Sequence, residues 1–150
     1  MLIERDPVPV MFQTVPDEVA EIRRAWTEMD DAIGSLRGRE FYGSFDPTTK
    51  EYRVCAVLVE GDYPAFFGLE EGTLAGGRYL RFRLEGEPPA VYDLIGPTFH
   101  RLERRLDRDP RRAQLEFYRR RGTIDLLQPL LPADITASLD AQVSGRRHPL

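Results

Sequence analysis

The sequence has few residues of the kinds that form cross-links or hold metal ions. Its 150 residues include one cysteine, Cys55, and two histidines, His100 and His148. An intrachain disulfide is therefore excluded, and no two of these residues have the local spacing of a metal site. We expect a protein that needs neither a metal nor a cofactor.

Long apolar runs are also missing. No stretch approaches the roughly 20 apolar residues that span a bilayer. The first ten residues carry Glu4, Arg5 and Asp6, where a signal peptide needs an apolar segment. The length of the chain, with 41% apolar and 31% charged residues, is ordinary for one folded domain. We therefore expect a soluble, cytoplasmic protein with a single domain over residues 1–150 and no membrane partner.

Common catalytic motifs are absent as well. Lys50 is the single lysine, and the chain has no Gly-rich phosphate loop with a following lysine and no G-x-S-x-G motif. A Ser-His-Asp triad would need His100, which lies among arginines, so we interpret this residue as a surface histidine.

The balance of charge argues against a nucleic-acid binder. The net charge is -4 and the sequence pI is about 5.3, whereas such proteins usually carry a basic footprint. Residues 101–121 nevertheless hold nine arginines against four carboxylates. We interpret this segment as a solvated helix surface, with Arg101, Arg104, Arg105 and Arg108 on one face; an acidic partner is the alternative. We expect no specific nucleic-acid binding and only weak, salt-sensitive contact through this segment.

The first half of the chain predicts a strand, a helix and a hairpin. Val8–Val15 is rich in Val and Phe, and Thr14-Val-Pro-Asp17 fits a capping box. A helix ended by Gly38 follows, because apolar residues recur at spacings of three and four. Arg39–Phe45 and Tyr52–Glu60 then flank a turn-forming sequence and predict a hairpin. The apolar helix stripe consists of Val19, Ile22, Trp26, Met29, Ile33 and Leu36.

The second half repeats this order after a glycine-rich connector, residues 61–77. Tyr79–Glu85 predicts a strand, and a helix could begin at Pro88-Pro89, with Gly96-Pro97 as its kink or its true start. Asp109-Pro110 should close that helix. Two further strands, 114–119 and 124–131, surround the turn at Arg121-Gly122. The second apolar stripe consists of Val91, Leu94, Ile95, Phe99, Leu102 and Leu106.

The order strand, helix, strand, strand therefore occurs twice and predicts an α+β fold. Two such units, 8–60 and 78–131, would form an antiparallel sheet with both helices on one face and a groove on a pseudo-twofold axis. The sequence echo between the halves is Glu40-Phe41-Tyr42 and Glu116-Phe117-Tyr118, each at the first strand after a helix. Residues 132–150 are expected to form a partly ordered tail.

Glu116 is the main candidate for a functional residue. Strand alternation places Gln114, Glu116 and Tyr118 on one face, with Leu115 and Phe117 on the other. If the first face meets the helices, the Glu116 carboxylate lies at the floor of the groove and favours a cationic ligand, because an unpaired buried charge is costly. If that face meets solvent, Glu116 pairs with neighbouring arginines instead.

Aromatic residues near the predicted groove strands are either plain core or the walls of a pocket for planar molecules. Tyrosines add polar tips, and their rings offer cation–π contact to a positive ligand. These aromatic residues are Phe12, Phe41, Tyr42, Phe45, Tyr52, Tyr79, Phe82 and Tyr118. The candidate ligand-binding residues are Glu116, Tyr42, Tyr118, Tyr79, Phe12 and Trp26.

Three segments, taken in order, resemble those of a known family. Leu74-Ala-Gly-Gly-Arg-Tyr79 is followed by a helix, then by Leu115-Glu-Phe-Tyr118 and by the closing strand Ile124-Asp-Leu-Leu-Gln-Pro-Leu130. Together they resemble the GyrI-like small-molecule-binding domain, also called the bacterial transcription-activator effector-binding domain. The resemblance covers the chain from about Val8 to Leu131, and the duplicated order of elements is that family's fold.

The resemblance implies a function. Members bind small, often hydrophobic and cationic compounds in the groove between the halves, with a glutamate at the position of Glu116 reading the charge. Tyr42, in Phe41-Tyr42-Gly43, corresponds to a tyrosine that lines the pocket in relatives. The chain has too few residues outside the domain for a DNA-binding unit, so we expect a stand-alone effector-binding or drug-sequestering protein.

Two alternatives remain open within the resemblance. Some stand-alone members resemble hydrolases that open strained rings of alkylating natural products, using a pocket glutamate and a tyrosine; here these would be Glu116 and one of Tyr42, Tyr79 and Tyr118. The name-giving branch acts on a protein partner, DNA gyrase, so the chain could instead modulate a protein.

Overall fold

The computed structural model describes residues 1–34 and 38–133. Leu36, the last member of the first predicted helix stripe, and the tail from residue 134 onward lie outside the described residues. The helices are α1 (Val19–Ile33) and α2 (Ile95–Leu102), with short 3₁₀ helices at Pro64–Phe67 and Ala90–Leu94. The strands are β1 (Leu2–Arg5), β2 (Val8–Pro16), β3 (Phe41–Asp46), β4 (Glu51–Val57), β5 (Glu70–Leu74), β6 (Gly77–Glu85), β7 (Gln114–Arg120) and β8 (Thr123–Pro129).

These strands form one sheet in the order β1-β6-β8-β7-β3-β4-β2-β5. Every pair of neighbours is antiparallel, and the two predicted hairpins, β3 with β4 and β7 with β8, are confirmed. The middle of the sheet is the pair β3 and β7, where Gly43 lies opposite Glu116. The protein is therefore an α+β fold in which strands from both parts of the chain meet at the centre.

The predicted connector, 61–77, was wrong in one respect, because it contains β5. Two residues separate β1 from β2, and two separate β5 from β6. At these short links the chain crosses over, so β1 pairs with β6 and β5 pairs with β2. The links touch, since a Cβ atom at Gly76 would lie 2.7 Å from the nitrogen of Pro7. Only glycine fits this crossing without a shift of the backbone.

Helix α1 begins without the predicted capping box. Thr14 lies within β2, where it pairs with Arg53, so it cannot also cap a helix. The N-cap is Glu18, and it makes no side-chain capping hydrogen bond. At the other end, Gly34 has a φ of 78° and donates its N–H to the carbonyl oxygen of Asp30. A left-handed residue of this kind commonly ends a helix, and it does so four residues before Gly38.

Helix α2 is much shorter than the predicted helix. It begins at Ile95, so Gly96-Pro97 marks its start, and it ends at Leu102. Leu106, predicted for the apolar helix stripe, is exposed, and Asp109, predicted to close the helix, lies beyond its end. The prediction that Arg101, Arg104, Arg105 and Arg108 share one helix face is therefore also wrong, because three of them follow Leu102. The backbone N–H of Asp109 donates to Pro129 and that of Leu131 donates to Asp107. This segment therefore pairs with the chain after β8 and cannot continue the helix.

Both faces of the sheet are covered. On one face, α1 packs through Ala25 and Met29, while Phe99 of α2 packs against Ile124 and Leu126. The opposite face carries its own apolar cluster, which consists of Val10, Phe12, Tyr42, Cys55, Leu74, Tyr79, Leu115 and Leu127. None of the helices in the described ranges is long and apolar enough to cross a membrane.

Candidate functional site

A groove of about 1310 Å³ lies between the two helices, with the helix-facing side of the sheet as its floor. Helix α1 contributes one wall through Ile22, Trp26 and Met29. The 3₁₀ helix before α2, together with α2 itself, contributes the other. The floor is formed by Phe41, Phe45, Tyr52, Gln114, Glu116 and Tyr118.

The polar centre of the floor follows from the strand register. Gly43 of β3 lies directly between Val54 of β4 and Glu116 of β7. Because glycine has no side chain, the floor is open at this point. Tyr52 leans into the opening from the adjacent row of the sheet, and Tyr118 leans in from the row on the other side.

Both tyrosines donate to one oxygen of Glu116. The Tyr52 hydroxyl lies 2.7 Å from Oε1, and the Tyr118 hydroxyl lies 2.5 Å from the same atom. A Cβ atom at Gly43 would lie 2.7 Å from this oxygen and still closer to the Tyr52 hydroxyl. The hydrogen bond between Tyr52 and Glu116 therefore requires glycine at position 43.

The second oxygen of Glu116 is left to the groove. Oε2 has no hydrogen-bond partner, and no cation of the described ranges forms an ion pair with Glu116. Every buried side-chain oxygen or nitrogen of those ranges has a hydrogen-bond partner. Because Oε2 has none, this atom must be accessible, and it can contact whatever fills the groove. The side chain as a whole is nevertheless buried, since the residue is 6% exposed.

Burial sets the protonation behaviour of this centre. It raises the pKa of Glu116 above the ordinary value of 4.5, while the hydrogen bonds from Tyr118 and Tyr52 oppose that rise, and the negative charge of Asp17 adds to it. Burial and the adjacent Glu116 also raise the pKa of both tyrosines well above 10.0. The tyrosines therefore remain hydrogen-bond donors to the carboxylate.

The lining of the groove is more acidic than basic. Among the charged side chains of residues 1–34 and 38–133 at the groove, Arg23 and Lys50 are the arginine and lysine, and Lys50 Nζ lies 5.8 Å from the centre of the Phe45 ring. The carboxylates are Asp17, Asp30, Asp93, Glu103 and Glu116. The groove thus attracts positive charge more than negative charge.

Aromatic rings surround the carboxylate. Trp26 of α1 meets Tyr118 edge to face, with ring centres 5.3 Å apart, and meets Phe41 at 6.2 Å. On the other wall, Tyr92 meets Tyr118 at 6.4 Å. These rings fix the position of Tyr118 and offer faces and edges to a planar ligand.

The structure divides the sequence-predicted site residues into two groups. Trp26, Glu116 and Tyr118 line the groove together. Phe12, Tyr42 and Tyr79 instead lie in the apolar cluster on the opposite face of the sheet.

Each residue of the second group has a partner on that face. Arg5 donates to the hydroxyl of Tyr42, and the Tyr79 hydroxyl donates to the carbonyl oxygen of Ala75 at 2.6 Å. The Arg53 guanidinium lies 4.4 Å from the centre of the Phe12 ring. These contacts leave none of the three side chains in the groove.

The strand register explains why Tyr42, which the resemblance placed in the pocket, lies on the other face. In the sheet, Phe41 lies opposite Tyr118, and Tyr42 lies opposite Phe117. Aligning the two Glu-Phe-Tyr strings therefore shifts one strand by an odd number of residues, which moves its side chains to the other face. The tyrosine that reaches the groove in the first half is Tyr52, one strand further along, and its role depends on a register that the sequence does not reveal.

Other chemistries find little support in the side chains. Among the residues that the structure describes, no three His, Cys, Asp or Glu side chains could jointly hold a metal ion. Cys55 is buried on the face away from the groove, and burial raises the pKa of its thiol to about 12. That thiol is therefore a poor nucleophile.

Comparison with known proteins establishes the fold. No protein-family model matches the chain, and no curated protein matches it. Among solved structures, an integron cassette protein from the mobile metagenome of Vibrio cholerae matches with a TM-score of 0.71 at 15% identity, over 87% of this chain and 94% of that one.

Two further structures are similar. SAV2435 bound to tetraphenylphosphonium has a TM-score of 0.61 at 14% identity, with 87% of this chain and 92% of that one covered. A putative bacterial transcription regulation protein from Staphylococcus aureus MU50 has a TM-score of 0.59 at 12% identity, with coverage of 87% and 97%. All three solved structures share this α+β fold.

The close packing at Gly43 gives a first prediction. Gly43→Ala should lower the free energy of unfolding by about 1–3 kcal/mol, since the new methyl group must displace Tyr52. Urea unfolding measures this loss. Gly96→Ala is the matched control, because no atom lies within 4 Å of the added Cβ, and alanine favours a helix by up to about 1 kcal/mol. A Gly43→Ala protein as stable as the wild type would contradict the geometry described.

The buried carboxylate gives a second prediction. Because its folded-state pKa is raised, Glu116 binds its proton more tightly in the folded protein than in the unfolded chain. Its contribution to stability is then fully present below pH 4.5 and is lost as the pH rises through the folded pKa. Glu116→Gln should therefore have a higher free energy of unfolding than the wild type at neutral pH, with no gain below pH 4.5.

Urea unfolding of both proteins across this pH range is the measurement. Taking the difference between variant and wild type cancels the contributions of other carboxyl groups. Glu71→Gln, at an exposed position on β5, is the control for the loss of one negative charge. A Glu116→Gln gain that is equal at both ends of the range would show that Glu116 does not titrate in this way.

Proposed function

We propose that this chain is a GyrI-like effector-binding protein that holds a hydrophobic organic cation in the groove, against Glu116. One observation carries the proposal: a carboxylate that is 6% exposed turns one oxygen to the groove and has no ion-pair partner in the described ranges. A protein with this groove would act by binding or sequestering its ligand.

The physical argument rests on the cost of burying charge. A buried carboxylate without a cation costs several kcal/mol, and two tyrosine hydroxyls offset part of that cost. A ligand cation would remove the remainder, whereas a neutral or anionic molecule would not. The site thus selects by charge even where the shape of the ligand varies.

The walls favour a ligand with aromatic rings. Trp26, Phe41 and Tyr118 present faces and edges around the carboxylate, which suits cation–π contact and stacking. The volume of about 1310 Å³ exceeds the roughly 300–1,000 Å³ of typical small-molecule sites. The groove therefore has room for a bulky or planar multi-ring compound.

The comparisons support the choice of ligand class. The SAV2435 structure holds tetraphenylphosphonium, a hydrophobic cation with four rings. At 14% identity the likeness shows the fold alone, so the ligand class enters here as part of the proposal.

The proposal includes a duplicated frame within one domain. The strands β2, β4 and β3 are neighbours in the same order as β6, β8 and β7. The two exchanged strands occupy equivalent edges, since β5 pairs with β2 and β1 pairs with β6. A groove on the axis between two such units would be lined by one helix from each. Glu116 then marks one of the two halves as the charge-reading side.

The ligand class can be tested with a matched pair of ions. Tetraphenylphosphonium and tetraphenylborate have nearly the same shape and opposite charge. The cation should bind and raise the melting temperature, while the anion should not, since the carboxylate repels it. At 100 times its dissociation constant a ligand adds about 2.7 kcal/mol of apparent stability, which is roughly 5–10 °C for a domain of this size.

Two variants complete this test. Glu116→Gln should weaken binding of the cation by about tenfold or more, since hydrogen bonds to charged groups and paired charges contribute more than about 1.4 kcal/mol. Glu71→Gln, which removes the same charge from an exposed strand, should leave binding unchanged. Equal binding of both ions, or cation binding that survives Glu116→Gln, would contradict the proposal.

A second candidate function is hydrolysis of a strained ring, because Glu116 has both a free oxygen and tyrosine neighbours. Oε2 would accept a proton from water as the water oxygen forms a bond to a ring carbon of an electrophilic cyclopropane. The ring C–C bond breaks, its electron pair moves to the conjugated carbonyl group, and the Tyr118 hydroxyl donates a proton there. The proton that Glu116 accepted then passes to the Tyr118 oxygen, which lies 2.5 Å from the carboxylate, and both groups are restored. General acid–base catalysis contributes roughly 10² to 10⁴ in rate, so the substrate must already be activated by strain.

Mass spectrometry for the addition of one water to an electrophilic cyclopropane tests this candidate. Turnover should disappear in Glu116→Gln and fall in Tyr118→Phe, with Tyr52→Phe as the comparison on the other side of the carboxylate. Ordinary esters and amides should be inert. Stoichiometric binding without product would leave the binding function alone.

A further inference from the structure

Besides Glu116, the groove contains a second carboxylate that is held in a fixed position, Glu103. Glu103 follows directly after α2 and lines the groove together with Glu116. Gln114 of β7 holds it in place, because the Gln114 side-chain amide donates to Glu103 Oε1 at 2.8 Å. The same amide nitrogen also donates to Gln128 Oε1 at 3.0 Å.

The position of Glu103 relative to Glu116 follows from the strand. Gln114 and Glu116 are two residues apart on one face of β7, so they are roughly 7 Å apart along it. Glu103 therefore lies beside the Gln114 position of β7, and Glu116 is the next residue on the same face of that strand. Phe45 pairs with Gln114 in the sheet and lines the groove at the Glu103 end.

Both carboxylates retain oxygen atoms for a ligand. Glu103 Oε2 lies 4.0 Å from the imidazole Nδ1 of His100, which is beyond hydrogen-bond distance, and the Glu103 side chain is 32% exposed. Glu116 Oε2 has no hydrogen-bond partner within residues 1–34 and 38–133, although the residue is 6% exposed. This open oxygen on a largely buried side chain is where the groove can receive positive charge at its centre.

We infer that the groove binds an organic dication with a planar aromatic frame, one positive group against Glu116 and the other against Glu103. This inference rests on the proposed function, since it assigns the charge number and the length of the ligand to the same groove. The two carboxylates set the distance between the charges, and the aromatic rings between the walls hold the frame. A monocation of the same shape pairs with Glu116 and brings no positive group to Glu103.

The two contacts should differ in strength. Glu116 is buried, where a charge pair is poorly screened, while Glu103 is partly exposed and more strongly screened by solvent. The second contact should therefore add about tenfold in affinity, which is selectivity rather than the main binding energy.

A matched pair of probes separates the two contacts. Methyl viologen has two joined, positively charged rings, with its nitrogens at opposite ends of the frame. 1-Methyl-4-phenylpyridinium keeps the two-ring frame and one charge. Isothermal titration of the whole chain with each probe should give a dissociation constant about tenfold lower for the dication.

Three variants assign the effect to residues. Glu103→Gln keeps an acceptor for Gln114 and removes the charge, so it should abolish most of the advantage of the dication and weaken the monocation far less. Asp93→Asn removes one charge from the same lining, and it should reduce the advantage of the dication far less. Glu116→Gln should weaken both probes.

The outcomes distinguish this inference from the function on which it depends. Equal affinity of the two probes, or an equal loss of the dication's advantage in Glu103→Gln and Asp93→Asn, would overturn the dication assignment while monocation binding through Glu116 stands. Failure of both probes to bind, or binding of both that is unaffected by Glu116→Gln, would overturn the proposed function itself.

Discussion

The shared hydrogen bonding of Tyr52 and Tyr118 to one oxygen of Glu116 is the interaction on which the groove depends. It joins β4 to β7 across β3, and it is possible because Gly43 contributes no side chain between them. Both donors approach Oε1, so the geometry itself directs Oε2 to the groove. The same three residues therefore fix the local sheet and define the chemistry of the site.

Elsewhere in the described chain, buried carboxylates are arranged differently. Asp125 is paired with Arg83 and Arg119, and Asp109 with Arg111 and Arg112. There, hydrogen bonds from the arginines, from the backbone N–H of Arg111 to Asp109 and from the Arg83 side chain to Asp125, together with the positive charges, hold the pKa of each aspartate below its ordinary value against the effect of burial. Glu116 has hydrogen bonds in place of a cation and its pKa is raised. The contrast shows that this fold can supply arginine to buried acids, and within the described residues it does not do so for Glu116.

Period-two alternation within a strand could be read directly from the sequence. It placed Glu116 and Tyr118 on one face of β7 together with Gln114, and all three line the groove. The apolar stripe likewise predicted α1, with Trp26 facing the sheet. These predictions depend only on a few neighbouring residues, which is why they agree with the structure.

What the sequence could not supply was register and long-range pairing. The site role of Tyr52 depends on its alignment with Phe45 and on the opening at Gly43, and both are set between strands. Phe12, Tyr42 and Tyr79 are aromatic, as pocket residues often are, but they lie on the other face of the sheet. Strands β1 and β5 are short, and their partners are distant in the chain, so nothing local distinguishes them from loops.

The exchange of β1 and β5 makes the two parts of the chain mutually dependent. Each part contributes an edge strand to the other, and the groove takes α1 and Tyr52 from the first and α2 and Glu116 from the second. A chain divided between β4 and β5 would yield two pieces, each with an unpaired strand edge that the other completes. Because the carboxylate and one of its tyrosine donors would then lie on separate polypeptides, a ligand bound in the groove would promote reassembly. The fold is therefore suited to a split-protein sensor, in which a ligand reassembles two fragments of the chain.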